Sequence, residues 1–195
     1  MSRHAGGFGL IEVLVALLLF AVGVLGWLSA QVIARQHSFE ALQASQATAL
    51  ARDMLARMRS NPGALQNYAL SHYSPTALVE PDGEPCSAHA SDLSCTAQEL
   101  AAYDVAQWFN ALRGWAEVAV QAGNAEPVAG LVEPSVCIYA AGNSVTVAVA
   151  WRGLSAQAAP PASACGVGLG RYGMDDREHR AVELRSWVPG PGVLP

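Results

Sequence analysis

The sequence predicts an α+β fold in which a long N-terminal helix, half apolar and half amphipathic, packs on an antiparallel sheet, with a short extra helix and disulfide-stapled loops. Three observations carry this. No proline occurs before Pro62, and the chain from Phe8 to Ser60 changes midway from uniformly apolar to amphipathic. Val145, Val147, Val149 and Trp151 alternate with Thr146, Ala148 and Ala150, the period of a strand with two different faces. Four cysteines, Cys86, Cys95, Cys137 and Cys165, all lie beyond the apolar stretch.

The elements follow in order. Val13 to Ala34 carries no charged side chain, and about twenty apolar residues are what a helix needs to cross a hydrocarbon core of roughly 30 Å. Beyond it, Val32, Phe39, Leu42, Leu50, Met54 and Met58 recur near one face, while Arg35, Glu40, Arg52, Asp53, Arg57 and Arg59 decorate the others. Met54, Leu55 and Met58 read as core contacts rather than a ligand box. Ser60-Asn61-Pro62-Gly63 stops the helix, because the residue before proline is pushed out of helical geometry. At 1.5 Å per residue the helix spans on the order of 80 Å. Residues 63–94 are rich in Pro, Ser, Asp and Gly and read as irregular, anchored by Tyr68 and Tyr73.

A second helix starts at a capping box, Thr96 with Glu99 three residues on. Ala101, Val105, Trp108 and Leu112 form its expected buried face and Gly114 its stop. Ser135–Tyr139 is a shorter strand joined to the alternating one by a hairpin turn at Gly142-Asn143. Residues 115–121 and 181–188 are further candidate strands, and 156–173 reads as loop. No internal repeat is visible.

The head of the first helix carries the most specific signal. It reads Gly6-Gly7-Phe8-Gly9-Leu10-Ile11-Glu12-Val13, with Glu12 facing an otherwise lipid-compatible helix. A carboxylate there is costly in lipid, so a partner is expected at the membrane surface or within an assembly. An ordinary secretory signal has an apolar region of about 7 to 15 residues, shorter than this one. A plain signal anchor has no reason to place a glutamate beside Gly7-Phe8. These residues resemble the class III signal of type IV prepilins, in which a leader ending in glycine precedes a phenylalanine and then a glutamate four places on.

The resemblance implies the pilin fold and divides the chain into a leader at 1–7, a transmembrane and filament-core helix at 8–34, and a periplasmic globular domain at 35–195. It implies cleavage between Gly7 and Phe8 by a prepilin peptidase, N-methylation of Phe8, and a role for Glu12 in filament assembly with other pilins and the inner-membrane machinery. Gly9 stands where many members have Thr or Ser, and Arg3 and His4 are the leader's only basic residues. Physically, helices packed side by side with an axial stagger let Glu12 of one meet the free α-amino group of Phe8 on its neighbour, which sets register. Gly23 and Gly26 read either as points of close helix approach or as tolerated membrane glycines. A helix holding Asp104 and Trp108, followed by Val149-Ala150-Trp151-Arg152-Gly153, is similar to the minor-pilin subfamily of type IV pilus modification proteins, PilV. The minor pseudopilins of type II secretion, GspI, share the Ile-Glu-Val-Leu-Val-Ala-Leu anchor.

Composition narrows the remaining options. The formal net charge is −5, and all eleven basic residues besides histidine are arginine. They form no basic run, so nothing supports a nucleic-acid surface. An even number of cysteines beyond a membrane helix argues for two disulfides. Four cysteines permit three connectivities, and the expected one is Cys86 with Cys95, closing a short loop, and Cys137 with Cys165, tying a strand to a later loop. Zinc is disfavoured because no pair has the close spacing of a structural site. His4, His37, His72, His89 and His179 are scattered, the last three in expected loops, and no nucleophile elbow or phosphate loop occurs. Asp175, Asp176 and Glu178 are interleaved with Arg177 and Arg180, which reads as a solvated charged loop rather than a calcium site. The expectation is a non-enzymatic minor pilin without cofactor or metal, at the bacterial inner membrane and then on the pilus. A pseudopilin is the alternative, and a membrane-anchored periplasmic enzyme a distant third.

Overall fold

The computed structural model describes residues 9–73, 86, 95–115, 118–121, 124–158 and 163–190. The chain forms two compact units, Met1–Glu40 and Ala41–Pro195. Helix α1 covers Leu10–Ser60, followed by a 3₁₀ turn at Pro62–Tyr68, strand β1 at Leu70–Tyr73, helix α2 at Ala97–Leu112 and strands β2 at Val118–Gln121 and β3 at Asn124–Pro127. Strands β4 (Ser135–Ala141), β5 (Ser144–Arg152) and β6 (His179–Trp187) complete the chain, with a 3₁₀ turn at Met174–Asp176 before β6. The main sheet is antiparallel with order β1-β4-β5-β6, and β2 and β3 form a separate two-stranded hairpin.

The period-two pattern of β5 sorts its residues onto two differently covered faces. Val145, Val147, Val149 and Trp151 join Val136 and Ile138 of β4 in the main core, which α1 and α2 complete with Ala47, Ala51, Met54, Leu55, Met58, Trp108 and Leu112. On the opposite face Cys137 lies directly across from Ala148, and Cys165 covers both. Cys137 is bonded to Cys165 across 28 residues, so the segment from Ser163 onward is clamped over that face. His179 supports the clamp, its Nε2 lying 2.8 Å from the Cys165 carbonyl oxygen and its ring edge-on to Tyr172. Burial pushes the Tyr172 hydroxyl up to about 12, so it stays protonated and donates to the Glu133 carbonyl.

Helix α2 starts at the Thr96–Glu99 capping box: Thr96 Oγ1 accepts from Glu99 N at 3.2 Å, and Glu99 Oε2 accepts from Thr96 N at 2.8 Å. The Thr96 backbone N–H is the main reason the Glu99 carboxyl is held below its ordinary range. At the other end Gly114 N donates to Ala111 O and Trp115 N to Asn110 O, a Schellman closure that needs the positive φ of Gly114. A Cβ on Gly114 would also sit 2.4 Å from the Val128 carbonyl. Two backbones therefore cross where only glycine fits.

Helix α1 is locked to α2 by a polar network inside the core. Asp104, on α2, accepts from Tyr68 Oη at 2.7 Å and from Arg57 Nη1 at 3.0 Å, while Arg57 Nε pairs with Asp53. Asn61 Nδ2 donates to the Ala97 carbonyl at 2.7 Å and to Tyr68 Oη. Trp108 Nε1 donates to the Leu50 carbonyl at 2.9 Å. Gln43, buried on α1, spans the neighbouring loop by donating to Gly130 O and accepting from Val132 N.

Several expectations need correction. The buried face of α1 runs through Gln43, Ala47, Ala51, Met54, Leu55 and Met58, whereas Leu42, Val32 and Phe39 are exposed. Close packing selects the small alanines and leaves Leu42 on another face. The stretch read as irregular contains the Pro62–Tyr68 turn and β1, which takes its strand geometry from pairing with β4. Trp115 lies in the turn after α2, and the strand begins only at Val118, outside the main sheet. His72 falls on β1, and His179 is the buried first residue of β6 rather than part of a loop. His89 lies outside the described residues.

Removing Asp104 leaves the buried Tyr68 hydroxyl without its acceptor and Arg57 without its inner partner. Asp104→Ala should cost about 2 to 3 kcal/mol in denaturant unfolding of the full chain in micelles, and Tyr68→Phe only about 1, because Asp104 keeps Arg57. Burial first, and Asp104 second, raise the Tyr68 hydroxyl above its ordinary range. That contribution is fully present below the ordinary tyrosine range near pH 10 and fades as pH rises through the raised folded value. Opening the Cys137–Cys165 loop in a double alanine variant should lower stability by roughly 3 to 4 kcal/mol on chain-entropy grounds, read by the same unfolding measurement.

Candidate assembly helix

Within the first unit the described chain begins at Gly9, whose carbonyl accepts from Glu12 N at 3.0 Å and from Val13 N at 3.3 Å. Those bonds start α1 and put Glu12 in its first turn. Unsatisfied amides there give the helix end a partial positive charge, which favours a carboxylate. Gly7 and Phe8, the expected cleavage and methylation residues, lie outside the described residues.

From Leu10 onward the unit displays its apolar side chains outward. Leu10 is 81% exposed, Phe20 70% and Trp27 65%, and an 18-residue stretch reaches a mean hydropathy of 2.5 with none of it buried. So much exposed apolar surface is unstable in water, and the helix is long and apolar enough to cross a membrane. Two hydroxyls on it are satisfied within the helix: Ser29 Oγ donates to the Leu25 carbonyl and Ser38 Oγ to the Ala34 carbonyl. Helix α1 runs unbroken through Gly23 and Gly26, and an added Cβ at either meets nothing within 4 Å. Both glycines thus leave a shallow notch on an open surface.

Glu12 shares one face with Val13, Ala16, Leu17 and Phe20. No group of three or more His, Cys, Asp or Glu residues able to hold a metal occurs among the described residues. In the second unit, Asp176 is engaged by the Gly168 amide and Glu178 by Arg152. Cys86 is bonded to Cys95 across nine residues, and Cys137 to Cys165. Sequence reasoning overlooked Gln43 and the partners of Asp104, since a buried amide on an otherwise amphipathic helix announces itself only through the loop it binds.

Two family models match the chain. Residues 2–28 match the prokaryotic N-terminal methylation motif, and residues 29–106 match the Type IV pilin Tt1218 family. The second match ends inside α2, so the main sheet beyond β1 lies outside it. No curated protein and no solved structure matches. The N-terminal half is therefore similar to a type IV pilin headed by an N-methylation motif, and the chain has an α+β framework of long helix, four-stranded antiparallel sheet, short helix and two disulfides.

Glu12→Ala removes a charge from the first unit without touching the core of the second. Its incorporation into filaments should fall strongly, while the unfolding free energy of the globular unit changes by less than about 0.5 kcal/mol. Immunoblots of sheared filaments, beside thermal unfolding of purified protein, check the two halves of that expectation.

Proposed function

We propose that this type IV pilin-like chain is a minor pilin, made as a membrane-anchored prepilin and incorporated into, or priming, a type IV pilus. The observation that carries the reading is the methylation motif over residues 2–28 heading an exposed apolar helix with Glu12 in its first turn. Prepilin peptidase cuts between Gly7 and Phe8 and methylates Phe8. The segment 8–34 serves first as membrane anchor and then as filament core, and 35–195 is the domain displayed outside. Two disulfides support an oxidising compartment for that domain, which is the periplasm before assembly.

In the filament the N-methylated amine of Phe8 is the cation that Glu12 of a neighbour pairs with. In hydrocarbon-like surroundings an unpaired carboxylate is strongly disfavoured, so a subunit one register out of place is rejected. The domain holds its own shape through the Asp104 network, which leaves the apolar helix as the assembling part. Within minor pilins, Asp104 and Trp108 on α2 with the Val149–Gly153 strand end support placement near PilV; both acidic and indole groups bond α1 or its flanking turn. A structural role in a filament accounts for these features without enzymatic chemistry.

Mass spectrometry of the protein recovered from sheared pili should show a chain beginning at N-methylated Phe8, and an intact Met1 leader in assembled material would overturn the reading. Deletion of the gene should remove or shorten surface pili. Loss of secreted enzymes with pili intact would instead assign the chain to a type II secretion pseudopilin.

A further inference from the structure

Strand β6 is an edge of the main sheet, with β5 on one side and no strand on the other among the described residues. Sheet edges template pairing with another chain, and proteins ordinarily blunt them with short strands, bulges, prolines or like charges. The opposite edge, β1, is protected in this way, with four residues and a break in its register against β4. Strand β6 has none of these protections. It is nine residues long, keeps an unbroken register against β5, contains no proline and carries charges of both signs.

Two bonds beyond its ends fix which backbone groups face outward. Val188 N donates to Asn143 O at 2.8 Å, and Gly153 N donates to Glu178 O at 2.7 Å. Continued through the register between them, this pattern bonds the even-numbered residues of β6 to β5. The N–H and C=O groups of Ala181, Glu183 and Arg185 therefore point away from the sheet. Glu183 lies across from Ala148, so the side chains of Glu183, Arg185 and Trp187 stand on the face opposite the main core. Arg185 Nη2 is 2.9 Å from Glu183 Oε1, and the Arg185 side chain is 79% exposed. Glu183 also accepts from Ser163 Oγ at 3.2 Å.

We propose that β6 pairs antiparallel with β6 of a second copy, about a two-fold axis through Leu184. Charge selects the partner and the register. An axis through Glu183 would set that carboxylate against itself, one through Arg185 would oppose two guanidinium groups, and one through Val182 would put Arg185 opposite the buried His179. The axis through Leu184 sets Glu183 of each copy opposite Arg185 of the other. These two residues then exchange four backbone hydrogen bonds across the axis. Their side chains form a ring of alternating sign, each carboxylate having one arginine in its own chain and one across the axis. Trp187, exposed on the same face, comes opposite the small Ala181 of the other copy, and Leu184 at the rim of the core meets its counterpart. The axis is normal to the sheet, and α1 packs on the inner face through Ala47, Ala51, Met54 and Met58. The two copies therefore run in opposite directions, meeting from opposed surfaces and not as neighbours in one. This contact is separate from the assembly role of α1 and does not depend on it.

The test places the full chain at one copy per lipid nanodisc, with donor dye on the scaffold of one disc population and acceptor on the other. Mixing should give energy transfer that rises saturably with concentration and is absent for empty discs. Glu183→Arg or Arg185→Glu, each by itself, turns both cross-axis attractions into repulsions and should weaken pairing by at least about tenfold. The chain carrying Glu183→Arg together with Arg185→Glu should recover it, because the exchange is self-complementary only in the register centred on Leu184. Circular dichroism checks folding, and Glu183→Gln or Arg185→Gln, with a smaller loss in the same direction, replaces a reversal that does not fold. No transfer between wild-type discs overturns the proposal. So does pairing that single reversals leave unchanged, which would place the contact on another surface, or a doubly exchanged chain that folds and fails to recover.

Discussion

The carboxylate of Asp104 is the point on which the globular unit turns. It sits at the edge of the core, only 8% exposed, and accepts from the two groups that most need an acceptor there, Arg57 of α1 and Tyr68 of the following turn. A carboxylate in such a place is tolerable only when both oxygens are occupied. Meeting that condition fixes α2 against the second half of α1. With α2 in place, Trp108 reaches the Leu50 carbonyl, and the end of α2 arrives where Gly114 crosses residues 128–130. The loop beyond is then close enough for Gln43 and Gln46 to bond Gly130, Val132 and Ala129. Each step depends on the one before, which is how a polar contact organises a mostly apolar core.

Alanine plays the complementary part. Ala47 and Ala51 are fully buried on α1, and their small side chains bring the helix close to the elements packed on it. Larger residues at those positions would overpack the core around α1. Dense packing and directional hydrogen bonding are therefore mutually dependent here, since a hydrogen bond weakens sharply with distance and angle.

What could be read in advance was whatever depends on near neighbours in sequence. Thr96 with Glu99, Gly114 as stop and the alternation of β5 are local statements, and each reappears in the structure. The motif from Gly7 to Glu12 needs no fold to be recognised, and the N-methylation match covers it. Features set by distant partners were hidden. Strand β1 is four residues long and polar in part, and only β4 makes it a strand. Leu42 is as apolar as any residue on α1, yet it falls off the face that the core covers. His179 looked like loop because its neighbours are charged, although pairing with Arg152 and the Cys165 carbonyl buries it. Glu12 differs in kind, since its expected partner belongs to another molecule and no single chain displays it.

The Cys137–Cys165 bond also has a mechanical meaning. All of β5 lies inside the covalent loop it closes, as does the hairpin turn to β4. The sequence separation of 28 between the two cysteines represents roughly 100 Å of contour length at about 3.5 Å per residue. None of that length is released when the chain is pulled from its ends, because tension passes through the disulfide and bypasses the loop. The central strand is thereby shielded from peeling, and the only slack the domain can surrender under load comes from its flanks.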